Sequence, residues 1–191
     1  LADATGGEAV STAEIARRCE TIFLCHKPKQ RSEVAQALAG FSGKVVSVLA
    51  ATDLGALRAA YPKAKIVRTM PNIPVQYGEG VVAIAAESDP AAEIDQLLGE
   101  LGRLERVPEA EFELATAIGG CAPAFFALFV QELCASAVER GMDEQQALRI
   151  VNETMRGTAT ALRENGLDTT GLMRAVASPG GLTERALESF D

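Results

Sequence analysis

The 191-residue chain has one histidine, His26. A single imidazole cannot build a histidine-rich metal site, and no second histidine is there to activate a serine. The four cysteines, Cys19, Cys25, Cys121 and Cys134, show no C-x-x-C spacing. Three lie in apolar surroundings and read as reduced, buried thiols, which argues against a disulfide framework or a zinc site. Basic residues are scarce: 18 Lys and Arg face 26 Asp and Glu, for a net charge of −8. That deficit argues against nucleic acid or an anionic membrane as partner. An anionic small ligand remains open, because backbone N–H groups can hold one inside an acidic protein. No apolar run approaches the roughly 18 residues of a membrane span, and the first ten residues are polar and acidic rather than signal-like. There is no G-x-G-x-x-G, no internal repeat and no low-complexity tract.

What is present is a core-forming chain, 48% apolar. Its first half alternates strand and helix. Glu8 to Val10 reads as a short strand, and Ser11-Thr12-Ala13-Glu14 opens a helix with capping-box spacing. Thr21 to Cys25 reads as a strand buried on both faces. Residues 30–40 read as helix, Lys44 to Leu49 as strand, and Asp53 caps a helix that stops before Pro62. Lys65 to Met70 and Val81 to Ala86 follow as strands. Pro90 starts a helix reaching Leu101. Arg103 to Val107 reads as a last, antiparallel edge strand. This alternation predicts an α/β fold with a doubly wound, mostly parallel sheet over residues 1–107.

From Pro108 the pattern is helical only, giving a second domain over 108–191. One helix runs from Glu109 to about Gly119, and another from Pro123 to Arg140. The second is apolar all round and needs burial on every side. About 80 residues cannot supply that alone, so this helix is expected to be shared with a second subunit. Asp143 caps the next helix, which stops at Asn165-Gly166. Its positions Ala147, Leu148, Val151, Met155, Thr158 and Leu162 recur at helical spacing and read as core.

Two segments carry chemistry. Ile66-Val67 leads as a strand into Arg68-Thr69-Met70-Pro71-Asn72-Ile73-Pro74-Val75-Gln76-Tyr77-Gly78-Glu79-Gly80. Prolines stop the ladder, and glycines permit a tight path. On its residues alone this is a ligand edge or a structural turn. Ala177-Ser178-Pro179-Gly180-Gly181-Leu182-Thr183-Glu184 leads into a helix near Leu182. Free N–H groups of Gly181, Leu182 and Thr183 at that helix start suit a carboxylate or phosphate. An ordinary loop is the other reading.

Both segments resemble those of pyrroline-5-carboxylate reductases: the family's R-x-M-P-N-T-P and S-P-G-G-x-T. The resemblance extends along the chain. Leu24-Cys25-His26-Lys27-Pro28-Lys29 is similar to the family's A-V-K-P, with His26 replacing an apolar residue. Val46-Ser47-Val48-Leu49-Ala50-Ala51-Thr52 resembles S-x-A-A-G, with Thr52 at the glycine. Ile73 stands where threonine is usual. Gly119-Gly120-Cys121-Ala122-Pro123-Ala124-Phe125 departs further from S-G-S-G-P-A-Y, losing two hydroxyls. The family's opening G-x-G-x-x-G unit and last helices have no counterpart in this stretch, so its Rossmann-type sheet is expected without the first strands.

The resemblance implies NAD(P)H-dependent reduction of 1-pyrroline-5-carboxylate to L-proline in the cytoplasm, with NADP the cofactor and NAD the alternative. It implies a cofactor edge of His26, Lys27, Pro28, Ala50, Ala51, Met70 and Asn72. The substrate is expected at Ser178, Gly180, Gly181, Leu182 and Thr183 of a partner subunit, with Thr183 the catalytic residue at the ring nitrogen. It further implies a homodimer or larger homo-oligomer through the helical domain, with no metal, nucleic acid or membrane. Two rivals stand: a reductase of a different cyclic imine, and a non-catalytic cofactor-binding homologue. A hydroxyacid dehydrogenase with a catalytic lysine in its helical domain is disfavoured, since residues 109–191 hold no lysine.

Overall fold

In the computed structural model residues 2–86, 92–166 and 168–189 are described. The chain divides into two compact units, Leu1–Ala124 and Phe125–Asp191. The first is built on strands β1 (Thr21–Leu24), β2 (Lys44–Ser47), β3 (Lys65–Pro71), β4 (Gly80–Ala86) and β5 (Gly102–Arg106), paired in that order. Helices α1 (Ala2–Thr5) and α2 (Thr12–Arg18) precede β1, and α3 (Arg31–Ala37), α4 (Leu54–Ala60) and α5 (Ala92–Gly99) lie between strands in sequence. Successive strand residues enter opposite cores, as a period of two requires. Val45 and Ile66 pack with Leu54, Leu57 and Phe112, whereas Val46 and Val67 pack with Ile94 and Leu98. The sheet is thus covered on both faces and mostly parallel, as the alternation predicts.

Local signals place the helix starts. Ser11 Oγ accepts from Glu14 N at 3.3 Å, and Asp53 Oδ1 accepts from Ala56 N at 2.7 Å. Other expectations are corrected. Residues 8–10 form no strand: no ladder partner lies beside them among the described residues, and Glu8 pairs with Arg18 of α2 instead. β1 is not buried on both faces. As the end strand of this sheet it leaves Phe23 42% exposed. β5 runs parallel to β4, not antiparallel. The crossover through α5 returns the chain in the same direction, and the reversal falls earlier, between β3 and β4. Gly102 permits the β4–β5 pairing: at its φ of +131°, an added Cβ would stand 2.2 Å from Gly80 O. Pro90 lies outside the described residues.

A 3-10 turn at Glu109–Glu111 leads into α6 (Phe112–Val138), which runs unbroken through Pro123. Two helices were expected here, because proline lacks the N–H that bonds the carbonyl four residues back. That carbonyl belongs to Gly119, and it accepts from Asn72 Nδ2 at 3.2 Å. A side chain from the β3–β4 turn supplies the missing donor, so the helix continues. The continuous stretch Glu109–Val138 is also long and apolar enough, by length and composition, to cross a membrane. Reading Pro123 as a break hides that run in the sequence.

The second unit continues α6 and adds α7 (Glu144–Glu164), α8 (Thr169–Val176) and α9 (Leu182–Leu187). Asp143 caps α7 through Gln146 N, and Gly166 follows it at φ +67°. Of the expected α7 core positions, Ala147 is buried and Leu148 and Met155 are exposed. On α6, Phe125, Phe126, Leu128 and Phe129 are each more than half exposed. This chain alone does not cover these faces.

Candidate active site

β1, β2 and β3 are parallel, with Leu24 beside Ser47 and Ser47 beside Arg68. Their carboxyl ends therefore fall on one edge, where ligands bind in open α/β sheets. The residues expected at a cofactor edge lie at or after those three ends. After β1, His26 Nδ1 donates to Lys27 O at 3.0 Å, and Lys27 N donates to Gln30 Oε1 at 3.1 Å. His26 Nε2 is buried without a hydrogen-bond partner. The Lys27 side chain is exposed. After β2, Ala50 and Ala51 are exposed, and Ala51 holds φ +53°, a left-handed conformation that alanine rarely adopts. Thr52 Oγ1, donating to Ala50 O at 3.3 Å, braces this turn. Backbone strain of this kind concentrates at functional sites.

At the end of β3, Met70 packs against the core, and just beyond it the Asn72 side chain is committed at both ends. Its Oδ1 accepts from Val81 N at 2.9 Å, and its Nδ2 donates to Gly119 O. Gly78 closes the turn at φ +70°, and Gly80 is packed against Val75, where a Cβ would stand 2.3 Å from Val75 Cγ1. The tight path expected of these two glycines is what the structure shows.

The second segment lies in the helical unit. Gly180 takes φ +71°, a conformation that favours glycine. Of the three amides expected free, Gly181 N is not: it donates to Ser178 O at 2.8 Å, closing the turn that delivers the chain into α9. Gly180 N donates to Glu184 Oε2 at 2.7 Å. Among the described residues no partner engages the N–H groups of Leu182 and Thr183.

Three polar residues that sequence reasoning passed over organise the first unit. Arg68 is 2% exposed. Its Nη1 donates to Glu109 Oε1 at 2.8 Å, its Nη2 donates to Glu113 Oε1 at 2.5 Å, and its guanidinium lies 3.9 Å over the Phe112 ring. A buried cation demands such partners. The signal available was the acidic pattern Glu109, Glu111, Glu113 at a helix start, which reads as ordinary N-terminal charge. The cysteines also depart from expectation. All four are free, and Cys19, Cys25 and Cys121 are exposed rather than buried. Cys121 sits on α6, whose apolar neighbours this chain leaves uncovered. Partial burial still pushes the Cys25 thiol above its ordinary range.

Parallel strand ends on one edge and a glycine-rich helix start define the class: an α/β protein followed by a helical unit. Relatives narrow the class. Residues 109–191 match the family described as pyrroline-5-carboxylate reductase dimerisation. The chain is 34% identical to the pyrroline-5-carboxylate reductase of Aquifex aeolicus over 182 residues, covering 93% of this chain and 69% of that protein. It is 35% identical to the enzyme of Treponema pallidum, covering 97% and 74%. Among solved structures it resembles the Plasmodium falciparum pyrroline carboxylate reductase with NADP bound, at TM-score 0.84 and 25% identity, covering 96% and 72%. The chain belongs to the pyrroline-5-carboxylate reductase family, and its sheet is Rossmann-type.

Proposed function

We infer that this protein reduces 1-pyrroline-5-carboxylate to L-proline with NADPH, as an oxidoreductase acting on a C=N bond in proline biosynthesis. The observation that carries the reading is the shared carboxyl edge of β1–β3, with the strained Ala51 turn at its centre, in a chain of this family. That edge fits the nicotinamide half of a dinucleotide. Ala50 and Ala51 are small and exposed, so a planar ring can approach the backbone. His26, Lys27, Pro28, Ala50, Ala51, Met70 and Asn72 are proposed to border the cofactor. Asn72 serves by holding the edge, since its amide is already engaged.

When bound, NADPH supplies a hydride to the imine carbon. The chain's own residues position the substrate and supply a proton. Ser178, Gly180, Gly181, Leu182 and Thr183 are proposed to hold the substrate, with the Leu182 and Thr183 N–H groups on its carboxylate. The Thr183 hydroxyl is proposed to hydrogen-bond the ring nitrogen. A hydroxyl suffices there, because the imine needs a proton and no strong acid. Residues 1–107 are proposed to act in dinucleotide binding and 108–191 in dimerisation and substrate binding, in a cytoplasmic homodimer or larger homo-oligomer.

Thr183→Ala tests the assignment. It is expected to lower kcat for imine reduction about a hundredfold, with NADPH affinity unchanged. An unchanged rate would remove Thr183 from the mechanism.

A further inference from the structure

One carboxylate oxygen ties the start of α4, the helix after β2, to the middle of β3. Glu109 Oε1 accepts from Leu54 N at 3.0 Å and from Arg68 Nη1 at 2.8 Å. Leu54 is the first residue of α4, so its N–H has no partner within the helix. Asp53 caps that helix through Ala56 N, which leaves the Leu54 N–H for an outside acceptor. Glu109 provides it from 55 residues away, with a negative charge that the helix N-terminus favours. Three residues before Leu54 stands Ala51 at φ +53°. Four residues after Arg68 stands Asn72, whose amide bridges to Val81 and Gly119. The Arg68 guanidinium is held in turn by Glu113 Oε1 and the Phe112 ring. A strained turn persists only where its surroundings over-determine it, and Glu109 holds the helix start three residues beyond this one.

We propose that Glu109 is a positioning residue for cofactor binding: through Leu54 N and Arg68 it sets the Ala50–Thr52 turn against the Met70–Asn72 end of β3. It touches no reacting atom. The inference rests on the assignment of that edge to the nicotinamide. Without Glu109 the turn keeps its short-range braces, the Thr52 hydroxyl and the Asp53 cap, and loses its tie to β3.

The test reads NADPH binding by nicotinamide fluorescence, without substrate, on full-length protein and its variants. Glu109→Ala is expected to weaken NADPH about tenfold, because small misplacements of a binding edge are costly. KM for pyrroline-5-carboxylate at saturating NADPH is expected to stay within about twofold, since the imino-acid segment is separate. Glu109→Gln keeps an acceptor oxygen at the same reach and is expected to restore most of the NADPH affinity. If the alanine variant does not fold, Glu109→Asp takes its place: charge kept, reach shortened, NADPH weakened. Amide hydrogen exchange gives a second reading, with Leu54 losing protection in the alanine variant and keeping it in the glutamine variant. Equal NADPH affinity in a folded Glu109→Ala or Glu109→Asp variant would overturn the proposal, as would an effect confined to thermal stability. Wild-type protein that binds NADPH without reducing the imine would overturn the substrate assignment and leave this proposal to the binding data. Wild-type protein that does not bind NADPH would overturn both.

Discussion

Tyr61 is 1% exposed, and its hydroxyl has no hydrogen-bond partner among the described residues. Burial favours the neutral phenol and pushes its pKa above the ordinary value of about 10. The folded state therefore binds the proton more tightly than the unfolded chain does. Tyr61's contribution is fully present below pH 10 and is lost as pH rises through the raised folded value. Tyr61→Phe removes an unsatisfied polar atom while keeping the ring. It is expected to leave stability at pH 7 unchanged or slightly higher, and to flatten its decline above pH 10 in urea titrations. Arg68 differs, since its buried charge is paired with Glu109 and Glu113, although its Nε is buried without a hydrogen-bond partner. Arg68→Met is expected to cost about 3 kcal/mol in urea unfolding. That is the low end for a broken buried pair, because Glu113 is largely exposed and rehydrates. A loss below about 1 kcal/mol would mean that the clasp contributes no more than a surface pair.

At the level of elements, α6 shows a proline accommodated by a distant side chain. Asn72→Ala leaves Val81 N and Gly119 O without their partner and is expected to cost about 1–3 kcal/mol. Pro123→Ala restores a helix N–H to Gly119 O, so it is expected to recover part of that loss in the Asn72→Ala background. Strict additivity in this double-mutant cycle would contradict the coupling. This element also shows where the sequence was legible. Capping residues Ser11, Asp53 and Asp143 announce their helices because the bond is made within one turn. Strand alternation announces the sheet for the same local reason. The direction of β5 depends on where the chain reverses, and the continuity of α6 depends on Asn72, some fifty residues away. Glu109 and Arg68 are likewise legible only once β3 and α6 are side by side. The carboxyl-edge segments were found because motif and strand end coincide, whereas the engaged amide of Gly181 follows from turn geometry that residue type does not encode.

For the whole molecule, the helical unit is the part that is unfinished as a single chain. Phe125, Phe126, Leu128 and Phe129 on α6 and Leu148, Ile150 and Met155 on α7 are exposed in a segment that matches a dimerisation family. A helix this apolar and this uncovered fits a subunit interface. Sedimentation is expected to show a dimer or larger assembly, and Phe129→Asp to weaken it. A well-folded monomer would contradict the interface. The strand edge is proposed to hold the nicotinamide, and residues 178–183 the imino acid. Loss of both hydroxyls at 119–121 relative to the family pattern makes substrate identity the point most in need of measurement. The most direct measurement follows NADPH oxidation at the nicotinamide absorbance band, with pyrroline-5-carboxylate and full-length protein. Turnover that depends on the imine and yields proline is the predicted result. NADPH binding without turnover of this imine would contradict it.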